Sequence, residues 1–367
     1  MSLNHAQTEA VAHNKGPCMV LAGPGSGKTL TIAKRIEYLI MKHKVRPEEI
    51  LVITFTKYAA WEMKNRTRSI CGPSSYAVTF GTFHGIYYGI LKWAYRLNQS
   101  NLLSDEEKYR ILREILPGID WDQEPEADEE KDYLQELAIE IGNVKNNCMD
   151  IEEYEPVKYT TEKFRKLYRT YEETKKKYRK IDFEDMLIQC RDLFMKRPDI
   201  LKKWQEKFQY ILVDEFQDVN QAQYDVVRML AAPQDNLFVV GDDDQSVYGF
   251  RGAKPGIMME FMKDYPKARQ ILLDVNYRSS GYIVKGALRV IGNNKIRFEK
   301  KIEAFRKPDE TVHVQEVKDP VQEAEYVLER IREYREKGVS YTEMAVLYRT
   351  NVDARAMSEL MMEYQIP

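Results

Sequence analysis

The chain has 367 residues, of which 43% are hydrophobic and 31% are charged, and its formal net charge is -2. This length predicts two or three domains of about 150 residues each, and the near-neutral charge does not by itself indicate a nucleic-acid partner. Because no apolar run approaches the roughly 18 residues of a membrane span and residues 1–15 lack a secretory signal, we expect a cytoplasmic protein with no membrane partner.

Short apolar runs that end in loops rich in Gly, Thr or Asp predict strands buried on both faces of a parallel sheet. In chain order they cover residues 18–22, 50–53, 78–80 (the weakest), 210–213, 237–240 and 270–273. Between them lie segments of helical periodicity. The alternation predicts an α/β fold with a parallel sheet.

Between residues 89 and 181 the alternation stops, and the sequence becomes helical in pattern and highly charged. We expect this segment to be a helical insertion into the α/β domain. Asp182-Phe-Glu-Asp185 then has the capping-box pattern that starts a new helix.

Residues 281–294 predict a helix, 295–307 are basic and irregular, and 312–317 alternate like a strand. A helix should begin at Asp319-Pro320 and end at Gly338, followed by a strand over 343–349. These elements would begin a second α/β domain. The predicted domains are residues 1–88 with 182–275, the insertion 89–181, and the incomplete domain 276–367.

Two runs of like charge and the four cysteines allow further predictions. Residues 120–132 are strongly acidic and predict a solvated loop, whereas Lys-Lys-Lys-Tyr-Arg-Lys at 175–180 fits either a solvated helix face or phosphate contacts. Cys18, Cys71, Cys148 and Cys190 form no Cys-x-x-Cys pair. Their spacing argues against a metal or iron–sulfur site and favours four buried thiols in a reducing compartment.

A glycine-rich segment follows the first predicted strand and opens a helix. Its residues are Ala22, Gly23, Pro24, Gly25, Ser26, Gly27, Lys28 and Thr29. The glycines let backbone N–H groups turn towards phosphate oxygens at the positive end of the helix. Lys28 would reach the β- and γ-phosphates, and the Thr29 hydroxyl would ligate Mg²⁺. The pattern predicts a P-loop, with Ala22 in the place of its first glycine.

Two acidic residues follow the strand at 210–213. Asp214 at a strand end can supply the oxygen ligand that Mg²⁺ prefers, and Glu215 beside it can polarise an attacking water as general base. Alone, such a pair is usually a helix cap. Together with a P-loop it predicts a nucleotide-hydrolysing site.

The motifs of this chain resemble those of superfamily 1 helicases of the UvrD/PcrA/Rep type. Those that carry the resemblance, in family order, are Leu3-Asn4 with Gln7, the P-loop, Asp182–Asp185, Val213-Asp-Glu-Phe-Gln-Asp218, residues 241–253 and Asn276-Tyr-Arg-Ser279. The resemblance covers nearly the whole chain. It implies RecA-like domains, the first carrying the P-loop and the insertion, and the second incomplete.

The resemblance also implies roles around bound ATP and Mg²⁺. Gln7 would hydrogen-bond the adenine and Tyr277 would stack on it. Gln245 would contact the γ-phosphate or its water, and Arg278 would be an arginine finger on the transferring phosphoryl group.

Three clusters that pair an aromatic ring with hydroxyl or cationic groups suit single-stranded DNA, because bases stack on rings while phosphates accept hydrogen bonds. They are Thr54, Phe55 and Thr56; Thr82, Phe83 and His84; and Tyr248, Phe250 and Arg251. All follow predicted parallel strands, whose carboxyl ends gather ligands. The chain departs from the family at Lys57-Tyr58, where the family's lysine is displaced by one position. It departs also at Phe250, a Trp in the family, and at Leu30, often an Arg.

The resemblance implies an ATP-hydrolysing DNA helicase or translocase, of 3′→5′ polarity, that acts on single strands and single-strand/duplex junctions in repair or replication. Family motifs V and VI would lie beyond residue 367, so we expect the 367-residue chain alone to bind ATP, hydrolyse it very slowly and not unwind duplex. The alternatives are the helicase module of a helicase–nuclease and a non-catalytic scaffold that binds ATP and DNA. The presence of both Lys28 and Glu215 argues against the scaffold.

Overall fold

The computed structural model describes residues 3–119, 130–247, 249, 254, 256–307 and 311–367. The chain divides into two compact units, Met1–Glu310 and Thr311–Pro367. Most of the acidic run at 120–132 lies outside the described residues.

The first unit is built on a parallel sheet of six strands in the order β3-β2-β4-β5-β1-β6. The strands are β1 (Cys18–Ala22), β2 (Ile50–Thr54), β3 (Thr79–Thr82), β4 (Tyr210–Val213), β5 (Leu237–Gly241) and β6 (Arg269–Leu273). This confirms the predicted α/β fold with a parallel sheet. The four central strands β2, β4, β5 and β1 are buried throughout, as their continuous apolar runs indicated.

Helices cover both faces of this sheet. Successive strand side chains point to opposite faces, so Met19 and Leu21 belong to one hydrophobic core while Val20 and Ala22 belong to the other. The helices of the sheet domain are α1 (His5–Ala12), α2 (Lys28–Met41), α3 (Lys57–Cys71), α4 (Phe83–Tyr95), α8 (Phe183–Lys196), α9 (Pro198–Lys207), α10 (Gln221–Ala231) and α11 (Gly256–Asp264). Helix α4 runs across the predicted boundary at residue 88, and its buried side chains Tyr87, Ile90 and Leu91 pack in the sheet core.

Three helices between α4 and α8 have a core of their own. They are α5 (Asp105–Ile115), α6 (Glu130–Asn146) and α7 (Thr161–Tyr178), and they bury Leu112, Leu137, Phe164, Leu167 and Tyr171 against one another. The chain then returns at Asp182, whose side chain accepts from the backbone N–H of Asp185 at 2.8 Å while Asp185 reciprocates at 2.9 Å. The predicted capping box is therefore present.

Lys175 fits neither interpretation of the basic run, which were a solvated helix face and phosphate contacts. Its side chain is 2% exposed, and its Nζ lies 2.7 Å from Asp182 Oδ2 and 2.5 Å from Asp185 Oδ2. Lys145, 4% exposed, reaches the same two carboxylates at 2.9 and 2.7 Å. Lys175 is thus neither solvated nor free to contact phosphate, because it compensates buried carboxylates. Lys176 and Lys177 remain exposed.

After β6, strands β7 (Val275–Ser280) and β8 (Glu303–Arg306) pair in parallel, with α12 (Gly281–Ile291) between them. Residues 295–307 are therefore not wholly irregular. The second unit contains α13 (Pro320–Glu336), capped by Asp319 as predicted, and α14 (Arg355–Glu363). The strands predicted at 312–317 and 343–349 were wrong: an alternating pattern forms a strand only beside another strand, and the described residues of this unit contain none.

No helix among the described residues is long and apolar enough to cross a membrane. All four cysteines are free thiols. Cys18, Cys71 and Cys190 are buried as expected, whereas Cys148 is only half-buried.

Candidate functional site

The glycine-rich loop joins β1 to α2, and two of its glycines have left-handed backbone conformations. Gly25 has a φ of +66° and Gly27 a φ of +86°, which L side chains rarely adopt. The buried Ser26 hydroxyl donates to the Gly23 carbonyl at 2.7 Å and braces the turn. Lys28 then begins α2, so the loop leads directly into a helix N-terminus, where an anion is favoured.

Lys28 contacts the predicted general base directly. Its Nζ lies 2.7 Å from Glu215 Oε2, and Gln217 Nε2 donates to the same oxygen at 2.9 Å. Burial alone would raise the pKa of Glu215, but the charge of Lys28 and these hydrogen bonds outweigh it and lower the pKa. Glu215 has a φ of +51°, a conformation that costs free energy for a non-glycine residue and is concentrated at functional sites.

Asp214, the last residue before Glu215, is buried at the carboxyl end of β4. Burial, together with the neighbouring charge of Glu215, raises its pKa to about 7. The negative charge of this carboxylate is therefore not fully balanced by positive groups of the protein. A hard oxygen donor of this kind, with the Thr29 hydroxyl in the first turn of α2, fits a divalent cation such as Mg²⁺.

The segment Asn276-Tyr277-Arg278 lies against the glycine-rich loop. The N–H of Tyr277 donates to the Gly25 carbonyl at 3.0 Å. A Cβ added to Gly25 would lie 2.5 Å from Arg278 Cβ and 2.9 Å from Asn276 Oδ1, so only glycine permits this approach. The backbone and Cβ of the exposed Arg278 therefore lie against the glycine-rich loop, and the charge of Arg278 contributes to the low pKa of Glu215.

Gln7 and Tyr277 are brought to the same loop. The Gln7 Nε2 donates to the Ser26 carbonyl at 2.9 Å, and its Oε1 accepts from the Asn4 N–H at 3.0 Å. Asn4 Nδ2 in turn donates to the Tyr277 hydroxyl at 3.0 Å. The Tyr277 ring lies 5.1 Å from the ring of Phe305, measured between centroids. The sequence did not predict that Asn4 links Gln7 to Tyr277, although Asn4 belongs to the motif of Leu3-Asn4 and Gln7.

Gln245 lies in the short turn after β5 and is held by Asp242. Its Nε2 donates to Asp242 Oδ2 at 2.6 Å. Gln217, which sequence reasoning also missed, links this turn to Glu215, because its Oε1 accepts from the Asp242 N–H at 3.0 Å. Gly241 permits this contact, since a Cβ there would lie 2.8 Å from Gln217 Oε1.

A cavity of about 510 Å³ opens between the carboxyl edge of the sheet and the helical insertion. Phe55 and His84 line it from the sheet side, and Lys108 and Tyr109 line it from α5. Phe183, at the start of α8, is 49% exposed there, and its ring lies 5.7 Å from that of His84. Sequence reasoning missed Phe183, whose signal was an apolar residue in the first turn of a capped helix.

The structure corrects parts of the predicted DNA track. Phe83 is 1% exposed and packs edge-on against Tyr87 in the sheet core, so its ring offers no face to a base. The buried Thr54 hydroxyl donates to the Thr56 carbonyl, and the Thr56 and Thr82 hydroxyls cap α3 and α4. The predicted contacts Tyr248, Phe250 and Arg251 lie outside the described residues.

A parallel sheet with a glycine-rich loop after β1 and an Asp-Glu pair after β4 defines a P-loop nucleotide-binding fold. Residues 3–266 match the family model described as UvrD/REP helicase N-terminal domain, and residues 271–367 match the UvrD-like helicase C-terminal domain. The chain belongs to the UvrD/REP helicase family.

Curated relatives agree with this family over the whole chain. YjcD of Bacillus subtilis (strain 168) is 39% identical over 378 residues, which cover 100% of this chain and 48% of YjcD. The ATP-dependent DNA helicase PcrA of Staphylococcus aureus is 35% identical over 373 residues, covering 100% of this chain and 50% of PcrA. The PcrA of Staphylococcus epidermidis gives the same values. The chain therefore spans about half the length of these relatives.

Proposed function

We propose that the protein is an ATP-dependent DNA helicase, which hydrolyses ATP to move along single-stranded DNA. The observation that carries this proposal is the 2.7 Å contact between Lys28 and Glu215 beside the buried Asp214. The cation that we propose binds phosphate, the proposed general base and the carboxylate proposed to bind Mg²⁺ thus lie together at the carboxyl edge of one sheet, which supports the proposal. The PcrA relatives are named ATP-dependent DNA helicases, which supports the same activity.

In the proposed reaction, the triphosphate binds in the glycine-rich loop from Ala22 to Thr29 and competes with Glu215 for the ammonium group of Lys28. Once Lys28 turns to the phosphates, Glu215 loses its main neutralising partner and can accept a proton from the attacking water. Arg278 stabilises the charge that develops on the transferring phosphoryl group. Thr29 and Asp214 would hold Mg²⁺, which when bound would neutralise charge on the phosphate oxygens.

Recognition of the base is assigned to Tyr277 and Gln7. The Tyr277 ring lies next to Phe305 and is tied through Asn4 to α1, so it is held at the rim of the phosphate loop. Gln7 is 3% exposed and bonded to Ser26, so it supports the loop and would have to release this hydrogen bond to donate its Nε2 to an adenine edge.

We propose that the DNA strand occupies the cavity between the sheet and the insertion. Phe55, His84, Tyr109 and Phe183 line it with rings on which bases can stack, and the lysine in its wall, Lys108, is paired with Glu184 at 3.2 Å. Thr54, Thr56 and Thr82 then act mainly by holding the loops that carry these rings. The proposed domains are a RecA-like domain from 1–88 and 182–275, the insertion 89–181, and a second RecA-like domain starting at 276. Because α4 is continuous, the first segment extends to Tyr95.

Strand separation by the full-length protein tests this function. Duplexes with a 3′ or a 5′ single-stranded tail would be incubated with ATP and Mg²⁺, with the Glu215→Gln variant as control. We expect the wild type to separate the 3′-tailed duplex, and the variant to separate neither. Degradation of the strands would instead support a helicase–nuclease. ATP and DNA binding without hydrolysis would support a scaffold and contradict the proposal.

A further inference from the structure

A buried lysine far from the glycine-rich loop in sequence reaches three successive aspartates. The Lys300 side chain is 1% exposed, and its Nζ lies 2.5 Å from Asp242 Oδ1, 2.5 Å from Asp243 Oδ1 and 2.7 Å from Asp244 Oδ2. Burial alone would lower the pKa of Lys300, but hydrogen bonds to the three carboxylates outweigh it and raise the pKa. The lysine therefore stays charged and holds the turn after β5 from one side.

Two more residues of the same segment contact this turn. Arg297 forms two hydrogen bonds with Asp244, at 2.7 and 2.5 Å, and the Phe298 N–H donates to Asp243 at 2.8 Å. Residues 297–300 thus clamp all three aspartates. Because β8 follows this segment and pairs with β7, the clamp is connected to the strand that carries Tyr277 and Arg278.

A continuous line of contacts runs from Lys300 to the glycine-rich loop. Asp242 binds Lys300 with Oδ1 and Gln245 with Oδ2, and its backbone N–H donates to Gln217. Gln217 donates to Glu215, which contacts Lys28 at 2.7 Å. Each link is a charged or buried hydrogen bond of 3.0 Å or less, so direct contacts join Lys300 to Lys28 without a gap.

We propose that Lys300 is a positioning residue, which acts through Asp242 to keep Gln245 and Gln217 in register with Glu215. The inference rests on the proposed function. Without the lysine, three adjacent carboxylates would repel one another, and the turn would lose the arrangement that orients Gln245. Lys28 and the glycine-rich loop would keep their own contacts. Loss of Lys300 should therefore impair turnover much more than nucleotide binding.

Lys300→Met in the full-length protein tests this role, with Lys301→Met as the matched control because Lys301 is the exposed neighbour. Nucleotide affinity would be measured with a fluorescent ATP analogue, and kcat and KM from ATP hydrolysis with and without single-stranded DNA. We expect kcat to fall by about 10- to 100-fold in Lys300→Met, while the Kd for nucleotide changes by less than about 2-fold. Lys300→Arg should recover part of kcat, and Lys301→Met should match the wild type.

An unchanged kcat in a folded Lys300→Met protein would overturn the proposal, and so would an equal loss of kcat and nucleotide affinity. If Lys300→Met does not fold, Asp242→Asn provides the second test, because it keeps the backbone contact to Gln217 but loses the charge. A normal kcat in that variant would overturn the role. ATP hydrolysis in the absence of DNA also depends on the turn after β5. The Lys300→Met comparison therefore tests the positioning role even if DNA does not stimulate the wild type and the proposed helicase function is wrong.

Discussion

Lys28 Nζ lies 2.7 Å from Glu215 Oε2, so the cation expected to grip phosphate is paired with the carboxylate expected to activate water. While this pair persists, Lys28 lowers the proton affinity of Glu215, and the carboxylate is a weak base. A bound triphosphate would attract Lys28 away. Binding of the substrate would thereby raise the basicity of Glu215 when a proton acceptor is needed.

Gly25→Ala should weaken nucleotide binding. The new Cβ would lie 2.5 Å from Arg278 Cβ, on a backbone with a φ of +66°, so the loop and the segment carrying Arg278 must move apart. We expect the Kd for a fluorescent ATP analogue to rise by about 10-fold or more, since strain of about 1.4 kcal/mol in the bound geometry already produces that change. Gly16→Ala is the matched control, because Gly16 has a φ of +85° but open space around it. Equal effects of the two variants would show that crowding at Gly25 is not the cause.

Lys175→Met should destabilise the protein strongly. It leaves Asp182 and Asp185 buried with Lys145 as the remaining contacting lysine. Removal of one partner from a buried ion pair costs about 3–5 kcal/mol in free energy of unfolding. Urea titration of the variant, beside the exposed-neighbour control Lys176→Met, measures this loss. A loss below about 1 kcal/mol would place Lys175 with ordinary surface lysines.

Phe183→Ala should weaken binding of single-stranded DNA. Stacking of one base on an aromatic ring contributes about 1–3 kcal/mol, so the Kd for a labelled oligonucleotide should rise by about 5- to 150-fold. Tyr95→Ala, at the opposite end of α4 from His84 and 53% exposed, controls for loss of an exposed ring. If both variants bind DNA like the wild type, the strand does not run through the cavity at Phe183.

His84 should make stability depend on pH. Burial lowers its pKa, and the carboxylate of Glu184 only partly offsets the effect. The unfolded chain therefore binds a proton more readily than the folded protein below about pH 6.5, so wild-type stability should fall as pH decreases through that value. His84→Asn removes this contribution of His84 protonation to the pH dependence of stability. The stability advantage of the wild type over the variant should shrink between pH 7.5 and 5.5, by at most about 1.4 kcal/mol per pH unit. Parallel pH profiles would contradict the assignment.

Local motifs formed by consecutive residues could be predicted from the sequence, whereas contacts between residues far apart in the chain could not. The glycine-rich loop, the Asp214-Glu215 pair and the Asp182 capping box each depend on a local pattern next to a strand or helix. Gln217 lies in the motif at residues 213–218, but its contact with Asp242, like the contacts of Lys300, is made only through the fold. The strands predicted at 312–317 and 343–349 failed because pairing requires a neighbouring strand. Lys175 was misread because its carboxylate partners come from the chain's return after α7.

The central claim is that Glu215 activates water in a DNA-dependent ATPase, and the hydrolysis rate of the full-length protein with saturating ATP, Mg²⁺ and single-stranded DNA tests it most directly. The wild type and Glu260→Gln, a control at an exposed position of α11, should show hydrolysis stimulated by DNA. Glu215→Gln should bind nucleotide with similar affinity but hydrolyse it about 10²- to 10⁴-fold more slowly. A Glu215→Gln protein that turns over ATP at the wild-type rate would contradict the account.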